Sequence, residues 1–294
     1  MLEITDILSL RNQIKHWKAR QQRLAFVPTM GNLHQGHLQL VRQAKSCGDK
    51  VLVSIFVNPM QFPAGGDYEH YPRTLKEDAK QLESLGVDVL FIPKVKDIYP
   101  QNLEQTTKVV VPALSDILCG AYRPGHFVGV TTIVAKLFNI VEPDIAIFGE
   151  KDYQQLVIIK KMVEDLAFPV EIRSGATVRE ADGLAMSSRN QYLTEAERKT
   201  ASLLYQTLLS VKEQINSGAD FAKIEAHAMQ ALTQAGFDPE YVSICNADTL
   251  ASESMASESM ASESMASESA TGNSLVILAA AWLGKARLID NIAV

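Results

Sequence analysis

Cysteine is scarce in this chain, and an excess of positive charge is absent. The 294 residues hold three cysteines, Cys47, Cys119 and Cys245, an odd and widely spaced set with no CxxC pair. That excludes a disulfide framework and a cysteine-built zinc site, and it fits a reducing compartment. Lys and Arg number 28 against 34 Asp and Glu, a net charge of −6. The broad basic face that a general nucleic-acid binder needs is therefore missing, although a local cluster remains able to grip a small polyphosphate. Long apolar runs are lacking too. The most apolar stretch, Leu275 to Leu283, is about half of the ~20 residues that span a bilayer. The opening MLEITDILSLRNQ has no basic stretch leading into an apolar one, so neither a membrane span nor a secretory signal is expected. The expected compartment is the cytoplasm.

The composition is that of a globular protein: 47% hydrophobic and 21% charged, which sets aside disordered and fibrous classes. At about 150 residues per domain the length suggests two domains. The first half alternates strand and helix patterns. Leu24 to Pro28 and Val51 to Val57 are continuous apolar runs of the kind buried on both faces of a sheet. Helical spacing follows each, at Leu38 to Ser46 and Leu75 to Leu85, and strands return at Val87 to Ile92, Ile145 to Gly149 and Val170 to Ile172. A β-rich stretch is read at Lys108 to Val111, and helices at Thr131 to Val141 and Tyr153 to Asp165. Repeated βα units predict a doubly wound parallel sheet, Rossmann-like, with ligands at the carboxyl ends of its strands. After about residue 175 the rhythm changes: helices at Thr194 to Asn216 and Phe221 to Ala235, then strands at Tyr241 to Ala247 and Leu275 to Ala280. This predicts domains at 1–175 and 176–294, the second a smaller α+β unit.

Residues 251–269 repeat ASESM. Methionines every fifth residue advance about 140° per step on a helix and alternate faces on a strand, so no regular element buries them together. A solvated loop between two strands is expected there, carrying four acidic residues.

The strongest chemical signal is Pro28-Thr29-Met30-Gly31-Asn32-Leu33-His34-Gln35-Gly36-His37, a glycine-punctuated turn from a buried strand into a helix. Such a turn leaves backbone N–H groups aimed at one spot, where they attract an anion. His34 and His37 are three apart, so both rings project beside that spot and can donate hydrogen bonds to a phosphoryl group as its charge grows. HxGH marks a superfamily acting at the α-phosphate of nucleotides, which includes class I aminoacyl-tRNA synthetases, nucleotidyltransferases and pantothenate synthetases. Its second landmark, a phosphate-binding loop far downstream, is matched by Met186-Ser187-Ser188-Arg189, whose hydroxyls and guanidinium offer several donors.

Further motifs separate these members. SIFVNPMQF (54–62), YPRT (71–74), RPGHFVGV (123–130), FGEKDYQQ (148–155), READGLAMSSRN (179–190) and AAAWLGKARLIDN (279–291), taken with VPTMGNLHQGH, resemble the pantothenate synthetase (pantoate–β-alanine ligase) family. The resemblance implies ATP-dependent condensation of (R)-pantoate with β-alanine through a pantoyl adenylate, with release of AMP and diphosphate. Domain 1–175 would then bind nucleotide and pantoate, and 176–294 would act as a lid closing over the reactive mixed anhydride. Met30, Gly31, Asn32, Leu33, His34, Gln35, Gly36 and His37 would hold ATP, with His37 as the proton donor. Gly149, Glu150, Lys151 and Asp152 would join them at a strand end, together with Val178, Met186, Ser187, Ser188 and Arg189; Lys151 and His34 would take part in catalysis. Gln61 and Gln155 would orient pantoate, and Gln61 would also meet β-alanine. Asn58, Tyr71, Arg123 and His126 are candidates for the same pocket. Mg²⁺ is expected with ATP and Glu77 and Asp78 are candidate water-mediated ligands, although acidic residues opening a helix commonly just face its dipole. A homodimer is implied, with no nucleic-acid or membrane partner.

Overall fold

The computed structural model describes residues 1–62, 68–254 and 274–294. The described chain divides into two compact units, Met1–Val178 and Arg179–Val294.

In chain order the first unit contains β1 (Leu2–Ile4), α1 (Ile7–Lys18), β2 (Leu24–Thr29), α2 (Gln35–Cys47), β3 (Lys50–Ile55) and α3 (Leu75–Ser84). It continues with β4 (Val89–Phe91), α4 (Val95–Ile98), α5 (Cys119–Tyr122), α6 (His126–Val141), β5 (Ile145–Gly149), α7 (Tyr153–Asp165) and β6 (Glu171–Gly175). The six strands form one sheet in the order β1-β4-β3-β2-β5-β6, and every pairing is parallel. Leu24 to Val27 and Val51 to Val53 are each 1% exposed or less, as strands covered on both faces must be. On one face, Leu38, Val41 and Ala44 of α2 pack on Val27, Val51 and Val53. Each fully buried aliphatic side chain of this kind contributes about 1.5–3 kcal/mol.

The strand order creates the kind of crevice in which doubly wound sheets bind ligands. From β2 the chain moves outward through β3 and β4, then crosses to β5 and β6 on the other side of β2. Connections leaving β2 and β5 therefore diverge, and the crevice at their carboxyl ends is a topological switch point. The HxGH turn follows β2 and Gly149–Asp152 follows β5.

Some elements differ from the sequence expectation. Lys108 to Val111 forms no strand. Val109 N donates to Thr132 Oγ1 (3.0 Å) and Thr131 Oγ1 donates to Val109 O (2.6 Å), so side chains of α6 stand in for a neighbouring strand. Helix α6 itself starts at His126 rather than Thr131, after Gly125 in the left-handed region (φ +79°). Its Val, Thr and Ile run has poor helix propensity, and near-complete burial overrides that. β1 and α1 carry too short or too mixed a pattern to be read from sequence.

The second unit contains α8 (Glu195–Ala201), α9 (Leu203–Asn216), α10 (Phe221–Gln234), β7 (Asp238–Asn246), β8 (Leu275–Leu283) and β9 (Ala286–Ala293). The single helix expected over 194–216 is two, broken at Ser202. The strands form an antiparallel sheet, β7-β8-β9. Leu204, Leu208 and Val211 of α9 and Ile224, Ala228 and Leu232 of α10 lie one helical turn apart, and they share a core with Val242, Ile244, Ile277 and Ala279 of the sheet. The ASESM repeat from Met255 onward lies outside the described residues.

Candidate active site

The turn after β2 is clamped from beneath. Gly31 (φ +82°) and Asn32 (φ +52°) are both left-handed, and a Cβ on Gly31 would sit 3.0 Å from Ile55 Cγ2 and 3.2 Å from Asp78 Oδ2. Asp78 of α3, 1% exposed, accepts from Asn32 N (2.9 Å) and Leu33 N (2.8 Å). Thr74 Oγ1 donates to the same carboxylate, 3.2 Å from each oxygen, and Gly31 N donates to Thr29 Oγ1 (3.2 Å). This corrects the expectation of amides aimed at an anion: the N–H groups of residues 31–33 turn inward. Asp78, a candidate water-mediated Mg²⁺ ligand, has both of its oxygens engaged by the loop amides and Thr74. Glu77 is exposed on the same helix. Among the described residues no cluster of three His, Cys, Asp or Glu is able to hold a metal.

What the turn presents is its imidazoles. His34 is the N-cap of α2, and its Nδ1 accepts from Gly36 N (3.2 Å); His34 N in turn donates to His37 Nδ1 (3.3 Å). A ring nitrogen that accepts from an amide carries no hydrogen, so each neutral ring carries its hydrogen on Nε2. The ring centroids are 4.1 Å apart. Burial, reinforced by the positive charge of Lys151, lowers the His34 pKa to about 4. Burial, with His34 next in effect, lowers that of His37 to about 3. Both rings are neutral at pH 7 and are donors through Nε2. Gly36 makes the arrangement possible, since a Cβ there would fall 2.8 Å from His34 Cε1.

Beside the rings, Gly149–Asp152 leaves the end of β5. Lys151 Nζ lies 3.9 Å from Asp152 Oδ1, and both charges act on both imidazoles. Glu150 accepts from Ser174 Oγ (2.6 Å), which ties this strand end to β6.

Gln61 lies against the turn, its Nε2 3.1 Å from Met30 Sδ. Asn58 Nδ2 donates to Gln61 Oε1 (3.1 Å), and His126 Nδ1 bonds Gln61 O (2.8 Å). Arg123 Nη1 is 3.0 Å from His126 Nε2, so Asn58 and His126 meet Gln61 and Arg123 backs His126. Tyr71 is buried and meets Phe62 edge-on at 5.9 Å. On α7, Gln155 is partly buried. Its neighbour Gln154, 4% exposed, donates to Leu114 O (2.9 Å) and Ile117 O (2.8 Å) and accepts from Cys119 N (3.0 Å). Sequence reasoning singled out none of Gln154, Thr74 and Tyr99, although Gln154 lies within FGEKDYQQ and Thr74 within YPRT.

Val178 is the last residue of the first unit and is partly buried. Met186 to Arg189 belong to the second unit, where Ser187 caps a short 3-10 turn (Ser188–Tyr192) and accepts from Arg189 N (3.2 Å). The hairpin ahead of them is anchored by Arg179, which pairs bidentately with Asp290 on β9 (2.6 and 2.9 Å) and stacks 3.7 Å over Tyr205. Among the described residues no helix is long and apolar enough to cross a membrane.

A family model described as pantoate-beta-alanine ligase matches residues 3–293. The chain belongs to that family. Pantothenate synthetase from Idiomarina loihiensis is 51% identical over 288 residues, covering 98% of this chain and 97% of the relative. That from Hahella chejuensis is 52% identical over 295 residues, covering 100% and 99%. Among solved structures, pantothenate synthetase from Thermus thermophilus superposes with a TM-score of 0.86 at 41% identity, covering 99% of each chain. Pantoate-beta-alanine ligase from Francisella tularensis, complexed with beta-gamma ATP and beta-alanine, gives 0.79 at 34% identity, covering 100% of this chain and 97% of the other. As a pantoate–β-alanine ligase the chain is an enzyme. It condenses pantoate with β-alanine at the expense of ATP, through a pantoyl adenylate, releasing AMP and diphosphate.

Proposed function

We propose that adenylation takes place in the crevice beyond β2 and β5, with His34, His37 and Lys151 around the α-phosphate and Gln61 and Gln155 on pantoate. The observation that carries this reading is the 3.1 Å contact between Met30 of the HxGH turn and Gln61. That contact supports neighbouring nucleotide and pantoate subsites, as attack of a carboxylate on the α-phosphorus requires. ATP lies along Met30–His37 and Gly149–Asp152 of the first unit, with Val178; for Met186–Arg189 of the second unit, a phosphate-binding role rests on the family resemblance. Pantoate carboxylate attacks, diphosphate leaves, and negative charge gathers on the phosphoryl oxygens. Neutral Nε2–H groups held in place by backbone amides suit that charge, because they need no reorganisation as it develops. A pKa of about 3 for His37 supports hydrogen-bond donation rather than transfer of a proton from an imidazolium. The amine of β-alanine, beside Gln61, then attacks the acyl carbon and AMP departs.

Mg²⁺ would accompany ATP and supply charge neutralisation at its phosphates while keeping several waters, with Glu77 and Asp78 the candidates to meet those waters. The family resemblance supports a homodimer, and an ATP-consuming reaction with three thiol cysteines fits the cytoplasm. The proposed division of labour is nucleotide and pantoate on residues 1–175 and a lid from 176–294.

His37→Ala tests the site. Pantoate-dependent exchange between ATP and diphosphate is expected to slow by roughly 10²–10³, with the pantoate KM little changed. Exchange at near-native rate would remove His37 from the mechanism.

A further inference from the structure

The amide of Gln61 has two faces, and only one of them suits an anionic substrate. A carboxamide presents either an acceptor oxygen or a donor NH₂, and a carboxylate is bound by the second and repelled by the first. Here the choice is made by residues behind it. Asn58, 1% exposed, engages all of its side-chain hydrogen-bonding groups. Its Oδ1 accepts from Tyr99 Oη (2.7 Å) and Met60 N (3.3 Å), and its Nδ2 donates to Gln61 Oε1 (3.1 Å) and Gly129 O (3.0 Å). Turning the Asn58 amide over would set NH₂ against the Met60 N–H and oxygen against the Gly129 carbonyl. Because Asn58 donates to Gln61 Oε1, the Gln61 NH₂ is left facing Met30 and the candidate pantoate site.

We propose that Tyr99 is a positioning residue for pantoate: its hydroxyl fixes the Asn58 amide, which fixes Gln61 with its NH₂ toward the substrate. This rests on the reading that Gln61 binds pantoate. Tyr99 is 4% exposed; its ring is near Phe56 (centroids 6.3 Å apart) and the Lys136 ammonium (5.4 Å). Burial raises its pKa above the ordinary phenol range, so the hydroxyl keeps its proton and donates. Rigidity comes from the packing of α6 on the turn Pro59–Gln61. A Cβ on Gly129 would lie 2.5 Å from Met60 O and 2.6 Å from Gln61 Cα, so the helix approaches as closely as backbone allows.

The test is steady-state kinetics on Tyr99→Phe, Asn58→Asp, Gln61→Ala and the double variant Tyr99→Phe/Gln61→Ala. Tyr99→Phe keeps the ring and removes the donor. Asn58→Asp keeps an acceptor for Tyr99 and removes the donor to Gln61. Each is expected to raise the pantoate KM about tenfold, the scale of one hydrogen bond to a charged group, while the ATP KM stays within about threefold. In the Gln61→Ala background, Tyr99→Phe should add nothing further, because the relay then has no end. A Tyr99→Phe enzyme with native pantoate KM, alongside a Gln61→Ala enzyme that has lost it, overturns the relay alone. So does a Tyr99→Phe effect that persists undiminished in the double variant, which marks a general packing defect. A Gln61→Ala enzyme with native pantoate KM overturns instead the assignment of Gln61 on which the relay rests.

Discussion

A histidine held as a neutral donor and a histidine held as a proton source make opposite demands on pH. The amides of His34 and Gly36 claim the Nδ1 atoms of His37 and His34, and burial keeps both rings neutral well below pH 6. In protein carrying ¹⁵N-labelled histidine, two of the six histidines are therefore expected to hold Nε2–H tautomer signals from pH 8 down to about 5. His34→Ala and His37→Ala should each delete one of them. Rings that titrate near 6.5 would instead make an imidazolium available, and the proton-donor role with it. At this scale the HxGH pattern was legible in the sequence because residue type and spacing alone put two imidazoles at one helix start. The tautomer was not, since it depends on two particular N–H groups. Tyr99 was equally illegible: 41 residues separate it from Asn58, and no local pattern links a tyrosine to an amide.

Helix α3 shows how an element serves a site without contributing to its chemistry. Its first turn offers Asp78 to the amides of Asn32 and Leu33, while Thr74 closes the carboxylate from the other side. From sequence, two acids opening a helix read most simply as dipole partners and, less readily, as water-mediated metal ligands; a clamp on loop amides became visible only once the fold brought α3 under the β2 turn. Asp78→Ala leaves two amides without their charged acceptor and is expected to cost about 2–4 kcal/mol in urea unfolding, with a weakened ATP KM that added Mg²⁺ does not restore. A metal ligand would behave oppositely: stability near native, and activity recovered by excess Mg²⁺. The same long-range logic applies to Arg179 and Asp290. Each lay within a recognised motif, but their pairing across 111 residues became visible only once β9 was placed beside the hairpin. Lys108 to Val111 failed for a related reason, since a β-branched run satisfied by threonine side chains of α6 has the same local pattern as one satisfied by a strand.

Across the whole molecule, the βα rhythm gave away the parallel sheet because strands buried on both faces write continuous apolar runs, and that burial is also what makes stability depend on pH. His34 and His37 stay neutral when folded but take up protons near pH 6.5 when unfolded. Between about pH 6.5 and pH 4 the unfolded state therefore binds more protons, and stability falls as pH falls. Each ring contributes at most about 1.4 kcal/mol per pH unit in that window, less because both are partly solvated. The penalty belongs to the first unit, and the two tryptophans allow it to be read there. Trp17 lies in the first unit and Trp282 in the second. In a Trp282→Phe background, the urea midpoint followed by Trp17 fluorescence is expected to drop from pH 7 to pH 5. Adding His34→Gln and His37→Gln should flatten that dependence even if it lowers the midpoint at pH 7. An unchanged slope in the histidine variants would mean that other groups carry the acid sensitivity and that these two rings are protonated with little cost in the folded protein.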